Sequence, residues 1–159
     1  MSVSSHLTPQ PEQRLWIILE AMQAAVAQDE RKIAAVTGLV AVELMFVSQQ
    51  SWLSLIALGA TLGLGLFSYA PLPANKPAKG TPSKADNLVK AADIAKYTRA
   101  ELILRLDSYL GGGITSTAYY EDIVGEILIH ARLAVRKRRL FGYLCAAAAA
   151  GQAAVLLTR

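Results

Sequence analysis

The sequence contains few of the residues that build catalytic centres and metal sites. It has one cysteine, Cys145, and two histidines, His6 and His130. A lone cysteine excludes an intramolecular disulfide, and we interpret Cys145 as a packing residue. No metal-ligating residue follows either histidine at helical spacing, so we interpret His130 as a packed or solvated helix residue. We therefore predict a protein that is not an enzyme and that uses no metal or cofactor.

Charge is also scarce, since Asp, Glu, Lys and Arg make up only 18% of the chain whereas hydrophobic residues make up 53%. With a mean hydropathy of +0.34 the chain is too apolar for an ordinary small soluble domain, and its composition favours a membrane protein with few spans. We expect no secretory signal, because the first long apolar run begins only at Ile33. The net charge of +4 comes from residues that flank apolar runs, so we expect no nucleic-acid partner.

A basic cluster runs directly into an apolar stretch near the end of the chain. Arg132 and Arg136–Arg139 precede residues 140–157, which carry no charge. About 18 residues at roughly 1.5 Å each extend about 27 Å, close to the hydrocarbon thickness of a bilayer. Because Lys and Arg collect on cytoplasmic flanks, we predict a transmembrane helix entered from the cytoplasm. A buried helix that ends a soluble bundle is the alternative.

Two further apolar runs predict a transmembrane hairpin at residues 33–70. The first run, Ile33–Val47, is short for a span and must recruit the following polar residues or thin the bilayer locally. A charge-free turn at Ser48–Ser51 separates it from the second run, Trp52–Ala70, which is long enough to cross.

Small and polar residues within these spans are the candidates for helix packing and for membrane function. Gly59 and Gly63 form a GxxxG pair, which packs either against the first span or against a second copy in a homo-oligomer. Glu43 is an ionisable residue inside a span, and Gln152 lies at similar depth. Glu43 either reaches the outer surface, or hydrogen-bonds Ser54 or Gln152, or lines a conductive path.

The remaining residues are predicted to lie in the cytoplasm. We expect disorder over residues 1–10, an amphipathic helix over 11–32, a basic linker rich in proline and glycine over 71–84, and a helical hairpin over 85–139. The first helix of the hairpin should run from about Lys84 to Leu110 and end at Gly111–Gly113. No helix breaker follows, which predicts one continuous helix over residues 118–157.

The predicted fold is therefore all-α, with three transmembrane helices, a cytoplasmic helical hairpin and long helices that continue across the membrane boundary. This topology puts the N-terminus in the cytoplasm and the C-terminus outside, with 15 of the 16 Lys and Arg residues inside. The basic residues predicted to flank the membrane are Arg31, Lys32, Arg136, Lys137, Arg138 and Arg139.

Cationic and aromatic residues in the predicted hairpin suggest a ligand site. Phosphate binds cationic donors and a base stacks on aromatic rings, and an antiparallel hairpin would bring such groups together. The candidates are Lys96, Tyr97, Arg99, Arg105, Tyr109, Tyr119 and Tyr120. The alternative is a solvated helix surface with tyrosines at its turn.

The order of segments resembles a known family. An apolar hairpin follows Asp29–Lys32, and a final helix runs through Tyr120, Glu121, Ile123, Leu128 and Ala131 into Lys137, Arg138, Leu140 and Phe141. This plan resembles the transmembrane effectors of bacterial Pycsar anti-phage systems. The similar two-span effectors of nucleotide-signalling operons would not need the third span. The resemblance implies an inner-membrane protein that impairs the membrane when a cyclic pyrimidine mononucleotide binds.

Two other functions fit the same composition. A small membrane scaffold or subunit would need no ligand, and a holin-like protein would permeabilise the membrane without one. The membrane effector is our primary hypothesis.

Overall fold

The computed structural model describes residues 11–47, 52–70, 77–111 and 118–157, and every regular element in these ranges is an α-helix. The helices are α1 (Pro11–Val47), α2 (Trp52–Phe67), α3 (Ala91–Ile94), α4 (Arg99–Leu110) and α5 (Ala118–Leu157). The all-α prediction is thus confirmed for these residues. The predictions for residues 1–10, for the turn at Ser48–Ser51, for residues 71–76 of the linker, and for Gly112 and Gly113 lie outside the described residues.

Helices α1 and α5 are as continuous as the sequence predicted. Pro11 begins α1, which then runs for 37 residues through the predicted boundary at Lys32. Proline suits the first turn because its missing N–H would have no helical partner there. Helix α5 has 40 residues and the predicted bounds. Neither helix contains an interior proline, so backbone hydrogen bonding continues from the charged half into the apolar half.

The prediction of a single helix from Lys84 to Leu110 is wrong. Turns occupy residues 84–90, α3 has only four residues, and α4 begins at Arg99. Short polar side chains cause the interruptions by bonding nearby backbone, which competes with helical bonding. The Asp86 carboxylate accepts from the Ser83 N–H at 2.8 Å, and the Asn87 side chain accepts from the Val89 N–H at 2.9 Å.

Both ends of α4 are capped. Thr98 and Glu101 form a reciprocal capping box, in which the Glu101 carboxylate accepts from the Thr98 N–H at 2.9 Å. At the other end Gly111 adopts a φ of 87°, in the left-handed region that favours glycine, and its N–H bonds the Asp107 carbonyl. The glycine stop after Leu110 was predicted correctly.

The chain divides into two compact units. The first unit comprises residues up to Val26 together with Ala74–Val135, and the second comprises Ala27–Pro73 together with Arg136–Arg159. The first unit has an extensive apolar core of α1, α3, α4 and α5 side chains. Its fully or almost fully buried members include Leu15, Met22, Ile94, Leu102, Leu106, Val124 and Ile127.

The second unit packs segments of α1, α2 and α5. Its buried apolar cluster is small and consists of Val40, Leu58 and Val155, with Leu44, Leu62 and Ala148 beside it. Among the described residues one helix, α5, is long and apolar enough over Ala118–Leu156 to cross a membrane. The apolar part of α2, Ser54–Phe67, is shorter.

Candidate functional site

The predicted ligand residues of the first unit do not form one site. Lys96 is held by two carboxylates, at 3.1 Å from Asp86 and 2.8 Å from Asp93. Hydrogen bonding from the Asp93 side chain, then from Asp86, raises the pKa of Lys96. The Ser83 backbone N–H, then Lys96, lowers the pKa of Asp86, and Lys96 lowers that of Asp93. Lys96 therefore neutralises an acidic pair of its own unit.

Arg99 is also engaged within the first unit. Its guanidinium lies 3.1 Å from the Asp122 carboxylate and donates at 3.1 Å to the Glu121 carbonyl. The Tyr119 and Tyr120 rings lie 5.6 Å apart, and the Tyr119 hydroxyl bonds the Glu12 carboxylate at 3.4 Å. These contacts join α5 to α4 and to the start of α1. Tyr109 is 59% exposed.

Tyr97 and Arg105 do line a common groove of about 390 Å³. Tyr97 is buried, and its hydroxyl donates to the Ser83 carbonyl at 2.8 Å. Burial, then the nearby Asp86 charge, raises the pKa of this hydroxyl, so the ring presents a neutral apolar wall. The other lining residues are Pro82, Ser83, Lys84, Glu101, Leu104 and Ser108.

The cationic side of this groove consists of Arg105 and Lys84. The Arg105 guanidinium donates to the Lys84 carbonyl at 2.5 Å, whereas its Nε is buried with no hydrogen-bond partner. Lys84 is exposed. With an apolar wall from Tyr97 and Leu104, the groove fits a small anion that carries a flat or apolar group.

The second unit distributes polar and apolar side chains in the opposite way to a soluble domain. All buried polar or charged side chains recorded in the described residues belong to it, namely Asp29, Thr37, Ser54, Thr61, Ser68 and Lys137. Its exterior carries large apolar side chains that are 52% to 80% exposed, namely Leu39, Val42, Met45, Phe46, Trp52, Ile56, Leu66, Phe67, Tyr143 and Leu156. An apolar exterior of this extent needs a lipid or protein environment.

Two of the predicted membrane-flanking basic residues are paired inside the second unit. Lys137 is only 7% exposed, lies 2.5 Å from the Glu30 carboxylate and stands 5.6 Å from the centre of the Tyr69 ring. Lys32 lies 3.5 Å from Asp29. Lys137 therefore ties α5 to α1 and to the end of α2.

The other flanking residues differ in exposure. Arg31, Arg138 and Arg139 are exposed, and Arg136 is half-buried and has partners of its own. The exposed three are the ones that can reach lipid headgroups.

The structure brings Glu43 and Gln152 together. The Gln152 side-chain amide donates to the Glu43 carboxylate, which joins α1 to α5 near the ends of both apolar segments. Glu43 is half-buried and Gln152 is exposed. This bond matches one of the alternatives derived from the sequence, and the functional role of the pair stays a prediction.

The glycines of α2 divide into packed and open positions. A Cβ at Gly65 would overlap the Thr37 side chain, so α1 packs directly on that backbone. A Cβ at Gly59 or Gly63 would meet nothing within 4 Å among the described residues. Of the two alternatives for this pair, packing against the first span is therefore absent from the described part of the single chain, and the GxxxG face is open.

Sequence reasoning missed two ion-pair clusters. The Asp86 and Asp93 pair around Lys96 had a local signal, the Ser83-x-x-Asp86 spacing, which is also typical of the start of a helix. The Lys137 and Glu30 pair joins residues 107 positions apart and had no such signal. The described residues contain no group of His, Cys, Asp and Glu arranged to hold a metal ion. The His130 ring bonds the Glu126 carbonyl, one helical turn away, at 2.9 Å.

No protein-family model matches the chain, and neither does any curated protein or any solved structure.

Proposed function

We propose that the chain is a membrane effector of a nucleotide-signalled anti-phage defence system in the bacterial inner membrane. In this proposal the second unit lies in the bilayer as three spans, with the N-terminus in the cytoplasm and the C-terminus outside. The first unit faces the cytoplasm and binds a cyclic pyrimidine mononucleotide. Binding leads to loss of membrane integrity.

The observation that carries the proposal is the inverted polarity of the second unit. Hydroxyl groups and a lysine lie inside it while side chains such as Phe46 and Leu39 are 80% and 70% exposed. In water this arrangement would cost free energy twice, through exposed apolar area and through desolvated polar groups. In a bilayer the apolar exterior is solvated by lipid, and polar side chains belong in the interior.

The groove of the first unit supports the choice of ligand. A cyclic mononucleotide carries one phosphodiester charge and one flat base. Arg105 and Lys84 supply cationic donors for the former, and Tyr97 with Leu104 supplies an apolar wall for the latter. The resemblance to Pycsar effectors supports the pyrimidine class.

Continuous helices support transmission from ligand to membrane. Helix α5 contributes Val124 and Ile127 to the core of the first unit and Leu144 and Val155 to the second. A shift of the helix in response to ligand therefore reaches the second unit without an intervening loop. The open Gly59 and Gly63 face supports assembly of several copies.

The test is dye leakage from vesicles of phosphatidylethanolamine and phosphatidylglycerol that contain the purified chain. Cyclic uridine or cyclic cytidine monophosphate should trigger leakage, and Lys84→Gln should raise the nucleotide concentration needed. Lys90→Gln is the matched control, because Lys90 is equally exposed but lies outside the groove. Leakage without nucleotide would favour the holin-like alternative, and no leakage under any condition would favour the scaffold.

A further inference from the structure

The buried face of α2, continued into the turn after Phe67, is a line of hydroxyl-bearing and small residues with heptad spacing. Ser54, Leu58, Thr61, Gly65 and Ser68 follow one another at intervals of four and three residues, and all five are buried. Ser54 is 0% exposed and Thr61 is 1% exposed. Such spacing keeps side chains on one line along a helix. We call Ser54, Thr61 and Ser68 the hydroxyl seam.

Neighbouring helices cover the hydroxyl seam through close contacts. Thr37 of α1 packs on Gly65, and Leu58 packs on Gly151 of α5, where an added Cβ would stand 3.1 Å from the leucine side chain. The seam therefore faces protein and not lipid in the single chain.

The hydrogen bonds of Thr61 and Ser68 do not tie α2 to its neighbours. Thr61 donates to the Ala57 carbonyl at 2.8 Å and Ser68 donates to the Gly65 carbonyl at 2.7 Å, both within the same chain segment. Opposite them the Thr37 hydroxyl is buried and has no hydrogen-bond partner in the part of the chain that the structure describes. Rotation of α2 would keep its own two bonds and would bring water to a hydroxyl that now lacks a partner.

The seam also has the length that a water path needs. From Ser54 to Ser68 it extends about 21 Å along the helix, most of a hydrocarbon core of about 30 Å. The apolar part of α1 offers only Thr37 and Glu43, and that of α5 offers Tyr143 and Gln152. Among the three helices, α2 alone has hydroxyls at regular intervals.

We propose that the hydroxyl seam lines the water path of the active state. In the resting chain α1 and α5 hide the seam, and activation turns it toward a lumen shared between copies. This inference rests on the proposed membrane-impairing function and adds to it the surface along which water and solutes pass.

The experiment compares single cysteines in a Cys145→Ala background. Ser54→Cys, Thr61→Cys and Ser68→Cys place thiols on the seam with little change in size. Ile56→Cys and Leu66→Cys are matched controls on the exterior of the same helix, at 60% and 61% exposure. Each variant is reconstituted in the phosphatidylethanolamine and phosphatidylglycerol vesicles. A charged, membrane-impermeant thiol reagent is then added before and after cyclic uridine or cyclic cytidine monophosphate, while dye leakage is followed in the same sample.

Seam thiols should react at least about tenfold faster in leaking vesicles than in intact ones, because the reactive thiolate forms in water and not in an apolar interior. The two exterior thiols should react slowly in both. This inference is overturned if the vesicles leak while the seam thiols react slowly, or if the exterior thiols react as fast as the seam thiols. Either result leaves the proposed function standing. Absence of leakage from the parent protein would overturn the proposed function and this inference together.

A second pair of variants tests the seam with substitutions that are expected to preserve the fold. Thr61→Val removes the hydroxyl at constant shape, and it should slow leakage while the protein still inserts and binds nucleotide. Leu66→Val on the exterior should leave the leakage rate unchanged. Equal leakage in the two variants would contradict a role for the seam.

Discussion

In the first unit the side chains without exposed surface are apolar, such as Leu102 and Ile127, whereas in the second unit Ser54 is buried as completely as Leu58. The exteriors also differ, because the first unit exposes Lys and Glu residues alongside apolar ones such as Ile17 and Leu104, whereas phenylalanine, leucine and tryptophan cover much of the second. The two units of this chain therefore differ in which side chains they bury and which they expose. The difference is explained if water surrounds the first unit and lipid surrounds the second.

The largest expected effect comes from truncating a buried leucine in the first unit. Leu102→Ala should destabilise this unit by about 2 to 5 kcal/mol, because the substitution loses transfer free energy and leaves a cavity. Leu58→Ala in the second unit should cost less, since lipid tails are as apolar as leucine and only packing is lost. Hydrogen exchange of peptides from α4 and α2 in lipid nanodiscs measures both. Equal losses would remove the distinction between the units.

The second largest difference between the units is expected when a charge is placed on the exterior of each. Leu39 and Leu104 are exposed to nearly the same extent, 70% and 67%. Leu39→Asp should impair insertion by about 2.5 to 3.5 kcal/mol at mid-span, whereas Leu104→Asp should change stability by about 0.5 kcal/mol or less. The fraction of each variant recovered in the membrane measures the effect. Normal recovery of Leu39→Asp would place that surface in water.

A smaller effect is expected at Glu43, which the second unit pairs with Gln152. Glu43→Gln keeps size and hydrogen bonding but removes the charge, whereas Glu43→Leu removes both. If Glu43 lies along the conductive path, the glutamine variant should lose cation preference in vesicle flux measurements. If the residue only packs, glutamine should be silent and leucine should weaken assembly. Wild-type selectivity in both variants would end the conductive hypothesis for this residue.

The smallest expected effect is a pH dependence of the stability of the first unit. The pKa values of Asp86 and Asp93 are lowered, chiefly by the Ser83 backbone N–H and by Lys96 respectively. Because the pKa of each carboxyl is lower in the folded protein than its ordinary value of 3.8, the ionised carboxylates stabilise the fold at any pH above 3.8. This stabilisation is lost as the pH falls through the folded pKa. Lys96→Met should therefore lower the melting temperature more near pH 7 than at a pH below the folded pKa values of both carboxyls. Lys90→Met is the control, and an equal loss at both pH values would contradict the account.

Much of the fold followed from local patterns. Apolar periodicity together with the absence of interior proline predicted α5 at its observed bounds, and glycine after Leu110 predicted the end of α4. The break between Lys84 and Arg99 was missed because the prediction of one helix relied on apolar periodicity and gave no weight to Asp86, Asn87 and Thr98. Their side chains bond the backbone instead, and helical periodicity does not report that competition.

The candidate sites were predictable only in part. Because the rise per residue of an α-helix is nearly constant, counting residues from the basic ends of the two apolar segments predicted Glu43 and Gln152 at similar depth. The seven cationic and aromatic candidates did not converge, because their positions depend on how α3, α4 and α5 pack. Lys137 was assigned to the membrane flank by its neighbours in sequence, whereas tertiary packing turns its side chain inward to Glu30.

The most direct test of the central claim, that lipid surrounds the second unit, is cysteine accessibility in intact cells. In the Cys145→Ala background, Gln50→Cys tests the connection between the first two proposed spans, and Lys90→Cys tests the first unit. The account predicts that an impermeant reagent labels Gln50→Cys from outside the inner membrane and labels Lys90→Cys only after the membrane is opened. Labelling of Gln50→Cys only from the cytoplasmic side would contradict it.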